Sequence, residues 1–106
     1  MQWWERKPKY EKVIWGDRAT FDCVSRGIPN PEVRWMKYSD NIPHPTHITN
    51  HSRYSVLPNN TLVINNVVYR DQGVYMCVSN SPKLVRNASA TLDVHGKLYR
   101  TFSGIS

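Results

Sequence analysis

Few residues in this chain have the chemistry to bind a metal or attack a substrate. Cys23 and Cys77 are its only thiols, and they could form a disulfide, stay buried as thiols, or react. Three histidines, His44, His47 and His51, lie close together in sequence. No carboxylate or cysteine stands beside them at the spacing of zinc ligands. We therefore expect neither a metal nor a cofactor.

Motifs of catalysis are also missing. No serine, histidine and aspartate follow one another in the order of a catalytic triad, and no paired carboxylates or phosphate-binding glycine loop are found. Scattered polar residues of this kind are usually solvated surface. The sequence thus predicts a protein that is not an enzyme.

Three asparagines stand in N-x-S/T sequons without proline: Asn50, Asn59 and Asn87. Such a sequon can carry a glycan where the asparagine lies on the surface of a secreted protein, although sequons also arise by chance in asparagine-rich chains. We expect Asn59, at a predicted hairpin tip, to be the strongest acceptor. Asn87 is the weaker candidate because it could point across a sheet edge.

Basic residues exceed acidic ones, with 14 Lys and Arg against 8 Asp and Glu, for a net charge of +6. This excess favours an acidic partner, such as a sulfated glycan or an acidic protein face, although it also promotes solubility. We expect no nucleic-acid partner. Two groups of basic residues lie near the ends of the chain. The first is Arg6, Lys7, Lys9 and Lys12, and the second, which flanks the last predicted strand, is Lys83, Arg86, Lys97 and Arg100.

Tryptophans outside the predicted core are a second kind of candidate contact. Exposed tryptophans are enriched where binding energy is concentrated. Trp15 stands just before a Gly-Asp turn, and Trp3 and Trp4 lie near the N-terminus. The alternative for all three is packing against the domain itself or a neighbouring one.

The elements that would position these residues are strands. Short apolar–polar alternations recur between turn residues, and no segment shows a sustained helical period. The predicted strands are 10–15, 18–26, 32–38, 53–57, 61–67, 73–79 and 84–94, with one short edge strand allowed within 39–52.

The 106 residues are enough for one domain and too few for two. We divide them into an N-terminal flank at 1–7, a domain at 8–95 and a C-terminal linker or tail at 96–106. No apolar stretch could span a bilayer, and the first residues lack the apolar run of a signal peptide. Any membrane attachment would therefore depend on segments outside this sequence.

A set of residues in register identifies the family. Cys23, Trp35 and Cys77 stand in the order and spacing of the immunoglobulin core. Asp71-x-Gly73-x-Tyr75-x-Cys77, Leu62-x-Ile64 and Arg53 match further positions of that pattern. From about Pro8 to Val94 the chain resembles the intermediate set (I-set) of the immunoglobulin superfamily. The resemblance implies an all-β, Greek-key β-sandwich of two antiparallel sheets.

The resemblance also implies roles for these residues. Cys23 and Cys77 would form a disulfide between the sheets with Trp35 packed on it, and Leu62 would face that bridge. Tyr75 would be the tyrosine corner, and Arg53 would pair with Asp71. Two reduced thiols, as in intracellular muscle domains of this set, remain the alternative. The sequons favour the extracellular disulfide.

The expected function is recognition. By this resemblance the chain is an extracellular module of a cell-surface receptor or adhesion protein, which binds a protein partner, such as another immunoglobulin domain, through a sheet face or edge. An alternative is heparan sulfate, bound where the first and last strands would bring the two basic groups to one edge. Lys9-x-x-Lys12 weakly resembles a basic stretch of fibroblast growth factor receptors. Protection of exposed edges by lysine and a structural spacer are the remaining alternatives.

Overall fold

The computed structural model describes residues 2–39 and 43–96. They form ten strands and one short 3-10 helix, and they contain no helix able to cross a lipid bilayer. The strands are β1 (Gln2–Arg6), β2 (Glu11–Ile14), β3 (Ala19–Phe21), β4 (Val24–Gly27), β5 (Glu32–Tyr38), β6 (Thr46–Ile48), β7 (Tyr54–Val56), β8 (Leu62–Ile64), β9 (Gly73–Ser81) and β10 (Leu84–His95). The 3-10 turn covers Tyr69–Asp71.

The front sheet has five strands in the order β2-β10-β9-β5-β6. A tight turn joins β9 to β10, and β9 pairs antiparallel with both β10 and β5. The edge strand β2 instead runs parallel to β10, from Glu11 opposite Leu92 to Ile14 opposite His95. The front sheet is therefore not wholly antiparallel, contrary to expectation. A tight hairpin can join only antiparallel strands, and β2 and β10 are instead separated by most of the chain.

Opposite the front sheet lie a three-stranded sheet, β3-β8-β7, and a separate two-stranded sheet, β1-β4. We describe the two together as the back sheet, because β4 follows β3 along the chain. The expected single strand at 18–26 is divided into β3 and β4. β3 pairs with β8 as far as Phe21, and from Val24 onward β4 pairs with β1 instead. The strand is divided because its hydrogen-bonding partner changes at this point.

Strand β1 lies in the segment that we expected to be a flank at 1–7. It pairs antiparallel with β4, with Gln2 opposite Gly27 and Trp4 opposite Ser25. Pro8, which follows β1, is buried and has no N–H to continue the ladder. Residues 2–6 thus form part of a strand ladder with β4. Residues 97–106 of the expected tail lie outside the described residues.

The core lies between the two sheets. Trp35, Tyr75 and Phe21 are its largest fully buried side chains. The Phe21 ring lies 5.4 Å from that of Tyr75 and 6.3 Å from that of Trp35, measured between centroids. The indole N–H of Trp35 donates to the Asn60 carbonyl at 2.8 Å, so the polar atom of this buried ring is satisfied.

Candidate binding surface

A disulfide joins the two sheets at the centre of the core. It links Cys23, which follows β3, to Cys77 in β9, with their Cα atoms 6.4 Å apart. Both cysteines are fully buried beside Trp35 and Leu62. The predicted bridge is therefore present, and these residues are interior rather than available to a ligand.

The Arg53 guanidinium and the Asp71 carboxylate form a bidentate ion pair at the lower end of the sandwich. Nη1 of Arg53 lies 2.6 Å from Oδ2 of Asp71, and Nη2 lies 3.0 Å from Oδ1. The Tyr54 hydroxyl and the Val68 N–H also donate to this carboxylate. Burial acts to raise the pKa of Asp71, but the hydrogen bonds from Arg53, Tyr54 and Val68 lower it overall.

The same turn contains the expected tyrosine corner. The Tyr75 hydroxyl donates to the Asp71 backbone carbonyl at 2.6 Å, and burial raises the pKa of this phenol. Asp71 is only 1% exposed. Its carboxylate accepts bonds from side chains and backbone alike, so this cluster holds the fold together and offers little to a partner.

Lys12 of the first basic group lies far from Lys83 and Arg86 of the second, whose other two members, Lys97 and Arg100, lie outside the described residues. Lys12 stands opposite Asp93 near the end of β10, whereas Arg86 lies near its beginning and Lys83 precedes it. Seven residues of extended strand separate positions 86 and 93, about 23 Å. Lys12 is therefore not brought beside Lys83 and Arg86, because β2 pairs with β10 only at its C-terminal end.

Individual basic side chains are also occupied. The Arg86 guanidinium lies 5.2 Å from the centroid of the Trp4 ring and donates to the Gln2 carbonyl at 3.0 Å. Arg6 pairs with Asp22 at 3.4 Å. A groove of about 340 Å³ mixes three basic residues with acidic ones. It is lined by Glu5, Arg6, Lys7, Lys9, Glu11, Thr20, Phe21 and Asp22. This mixture weakens the field that a polyanion would require.

The tryptophans are divided between packing and exposure. Trp4 packs against the core cluster, which agrees with the alternative that it packs against the domain itself. Trp3 is 48% exposed and Trp15 is 40% exposed, but they lie on different sheets: Trp3 in β1 and Trp15 just beyond β2.

The three sequons lie on the surface. The Asn50 side-chain oxygen accepts the Val56 N–H at 2.7 Å, and that of Asn59 accepts the Thr61 N–H at 3.1 Å. Asn87 is exposed within β10, opposite Val78 of β9. It belongs to the outward-facing row of the strand and does not point across the edge.

A surface that the sequence pattern did not predict lies on the outside of the front sheet. In β9 the residues Tyr75, Cys77 and Ser79 are buried, so the alternate residues Val74, Met76 and Val78 point outward and are partly exposed. In β5, Trp35 points inward, and Met36 and Tyr38 point outward. We call this set the front apolar patch: Met36, Tyr38, Val74, Met76 and Val78.

Strand register makes the patch continuous. Met36 stands opposite Met76, and Tyr38 stands opposite Val74, so their side chains are neighbours across two central strands. Its borders are polar, with Ser89 opposite Met76 on one side and His47 opposite Met36 on the other. Arg34 and Glu32 form an exposed ion pair at 3.6 Å near one end.

A signal for this patch was present in the sequence. The run Val74-Tyr75-Met76-Cys77-Val78 is apolar at every position, whereas a strand with one solvated face alternates. Tyr75 and Cys77 belong to the core pattern, and that pattern predicts no role for the alternate residues Val74, Met76 and Val78. When alternate residues of a strand are known to point inward, an uninterrupted apolar run means that the residues between them form an apolar outer face.

The sequence matches a known protein family. Residues 5–81 match the family described as "Immunoglobulin domain". Human Roundabout homolog 1 is 37% identical over 89 residues, which are 84% of this chain and 5% of that protein. Mouse immunoglobulin superfamily member 10 is 35% identical over 77 residues, or 73% of this chain and 3% of that protein. The chain thus spans a small fraction of these relatives.

Solved structures show the same fold. The N-terminal Ig1-2 module of a Drosophila receptor protein tyrosine phosphatase matches with a TM-score of 0.77 at 32% identity, covering 90% of this chain and 49% of that one. A titin M10–obscurin-like 1 complex matches with a TM-score of 0.77 at 23% identity, covering 90% of this chain and 93% of that one. At that identity the second match indicates the fold alone.

Proposed function

The chain belongs to the immunoglobulin superfamily, and from this premise we propose that it is a non-catalytic extracellular recognition module that binds a protein partner through the front apolar patch. Similar proteins, among them Roundabout homologs 1 and 2 and inactive tyrosine-protein kinase 7, are cell-surface receptor and adhesion proteins. Immunoglobulin sandwiches present several surfaces, so fold alone does not choose among them.

The observation that carries this choice is the apolar outer face of the front sheet. Two methionines, two valines and one tyrosine lie together at the centre of a sheet, where a solvated face would carry polar residues. A contiguous apolar patch with a polar rim is typical of a protein-binding surface. Methionine adapts its shape to a partner, and Tyr38, 41% exposed, offers a rigid ring.

Charge favours a partner other than a second copy of this chain. The net charge of +6 makes two copies repel one another, whereas a partner with an acidic rim around an apolar centre would be attracted. Arg34 lies on the same outward row as Met36, at the margin of the patch. We therefore propose an acidic-rimmed face of another extracellular protein domain as the partner.

Heparan sulfate is the less favoured partner. Its binding was expected where the two basic groups share one edge, and Lys12, opposite Asp93, lies far from Arg86 along that edge. Retention on heparin only below physiological salt is the expected result, since the basic side chains are dispersed and partly paired.

The test presents the disulfide-bonded domain as a tetramer to an array of extracellular domains. Met76→Lys places a charge at the centre of the patch, and Thr20→Lys adds the same charge on the exposed outer face of the back sheet. We expect Met76→Lys to weaken binding about tenfold or more, as at an interface centre, and Thr20→Lys to leave it unchanged. Matching melting temperatures would show that both variants are folded.

Three outcomes contradict the proposal. Met76→Lys could bind as tightly as the unmodified domain, which would place the contact elsewhere. Alternatively, Thr20→Lys alone could abolish binding, which would assign the contact to the back sheet. Binding to no acidic-rimmed domain in the array would also count against it.

A further inference from the structure

We propose that Asn87 carries an N-linked glycan that lies over the front apolar patch and limits access to it. The consequence for binding rests on the function proposed above; the modification itself does not. Under this proposal, the fraction of molecules glycosylated at Asn87 sets how much of the patch is available to a partner.

Strand register places Asn87 beside the patch. Asn87 stands opposite Val78, and Ser89 stands opposite Met76. Adjacent strands lie about 4.8 Å apart, and diagonal neighbours about 7–8 Å. Asn87 and Ser89 are both exposed and belong to the outward row of β10. A glycan leaving the Asn87 amide therefore starts at the border of the patch, on the same side of the sheet.

The three sequons differ in what a glycan would cover. Asn50 lies at the opening between β6 and β7, near Ile48 and Val56, and Asn59 lies in the turn before β8. Neither belongs to the outward rows of β9 and β10 or of β5. Among the three, only Asn87 shares a face with Met76.

The side chain of Asn87 is also available. Among residues 2–39 and 43–96, no hydrogen bond to its amide group is found, whereas the side chains of Asn50 and Asn59 each accept a backbone N–H. Attachment at Asn87 would then displace no contact of the fold. Because β10 is held by β9 along this stretch, the glycan would start from a rigid position.

The modification is an ordinary group transfer. The side-chain amide nitrogen of Asn87 bonds to the anomeric carbon of a lipid-linked diphosphate oligosaccharide. The bond from that carbon to the diphosphate oxygen breaks, the lipid diphosphate leaves with the electron pair, and the amide nitrogen loses one proton. The hydroxyl of Ser89 completes the acceptor motif.

The physical effect follows from the chemistry of the two surfaces. A glycan is bulky and strongly hydrated, and the patch exposes apolar side chains of two central strands. A glycan spread over Met76 and Val78 would exclude a partner from them and would protect the unbound domain from aggregation through this face.

The first measurement is glycopeptide mass spectrometry on the domain secreted by a eukaryotic host. We expect a glycan on Asn87 in the unmodified domain and in Ser89→Thr, which keeps the motif. Ser89→Ala and Asn87→Gln should lack it by two independent routes. An unoccupied Asn87 in the unmodified domain would overturn the proposal.

The second measurement is hydroxyl-radical footprinting, which reports coverage without any partner. Met76 should be oxidised several-fold more slowly in the two glycosylated proteins than in Ser89→Ala and Asn87→Gln. Trp3, on the outer side of the back sheet, is the internal control, and its rate should be equal in all four. Equal Met76 rates with Asn87 glycosylated would show that the glycan points away from the patch, which also overturns the proposal.

The two proposals fail in different ways. If Met76 is protected by the glycan but Met76→Lys binds the partner normally, the glycan proposal stands and the binding proposal fails. If Met76→Lys abolishes binding but footprinting is unaffected by the glycan, the reverse holds. When both are right, Asn87→Gln binds the partner more tightly than the glycosylated domain does.

Discussion

The outer faces of the two sheets differ in how their side chains are satisfied. On the back sheet, the charged groups have partners: Arg26 lies 2.8 Å from Glu5, and Arg6 lies 3.4 Å from Asp22. The hydrogen bond from Arg26 lowers the pKa of Glu5, so the carboxylate stays charged. These four side chains are charged and paired, and the exposed ring of Trp3 lies on the same face.

The front sheet shows the opposite arrangement. Its two central strands expose apolar side chains beside Asn87 and Ser89 of β10 and His47 of β6, and the Arg34–Glu32 pair lies only at the margin. Both faces belong to the same sandwich and cover the same core, so folding does not explain the difference. The apolar composition of the front face is instead what we expect of a surface that a partner or a glycan covers.

The comparison predicts that stability lies between the sheets, whereas the outer faces contribute little to it. The largest effect should therefore follow from removing the link between the sheets. Replacing Cys23 and Cys77 together by alanine should lower the free energy of unfolding by about 4 kcal/mol, the chain-entropy value for a loop of this length. Urea unfolding followed by tryptophan fluorescence measures it. A loss under about 1 kcal/mol would mean that the two sheets hold together without the bridge.

The buried ion pair at the lower end should give the next largest effect. Asp71→Asn leaves the Arg53 charge without its partner and should cost about 3 kcal/mol at pH 7. Asp22→Asn, which breaks an exposed pair on the back face, is the matched control and should change stability little.

The pH dependence of this effect has a definite sign. The folded-state pKa of Asp71 is lowered, so its ionisation stabilises the fold fully above the unfolded-state pKa. That contribution is lost as the pH falls through the folded-state value. The stability gap between the unmodified domain and Asp71→Asn should therefore be constant near neutrality and narrow below about pH 4. A gap that widens on acidification would refute the assignment.

The smallest effect should come from the back face itself. Glu5→Gln and Arg26→Gln each break an exposed ion pair, and such pairs contribute little to folding because water solvates both charges. We expect melting temperatures within error of the unmodified domain and unchanged partner binding. If either substitution weakened binding as strongly as Met76→Lys, the contrast between the two faces would be lost.

Sequence reasoning was reliable where one residue type has one role in a fixed spacing. The range 32–38 was predicted as a strand and is β5, and the range 84–94 corresponds closely to β10. The predicted disulfide between Cys23 and Cys77 is present. These features depend on local alternation and on a motif in which cysteine, tryptophan and tyrosine recur at set positions.

The errors arose where the answer depended on strand partners distant in sequence. Gln2–Arg6 has no clear alternation, and its strand exists because β4 provides a ladder. The basic groups were expected together because the first and last strands pair. The pairing is real, but it covers only 92–95 of β10, which leaves Arg86 at the other end beside Trp4.

The sequence by itself determined the family, the disulfide and the residues that face the core, because those are set by residue type and by a two-residue period along each strand. Only the tertiary structure decided which outward residues become neighbours. Met36 and Met76 are distant in sequence, and they meet because β5 and β9 pair in one register. A shift of one residue in that register would have turned these methionines inward and dispersed the patch. Asn87 borders the same surface for the same reason, since its distance from Met76 is set by the pairing of β9 with β10.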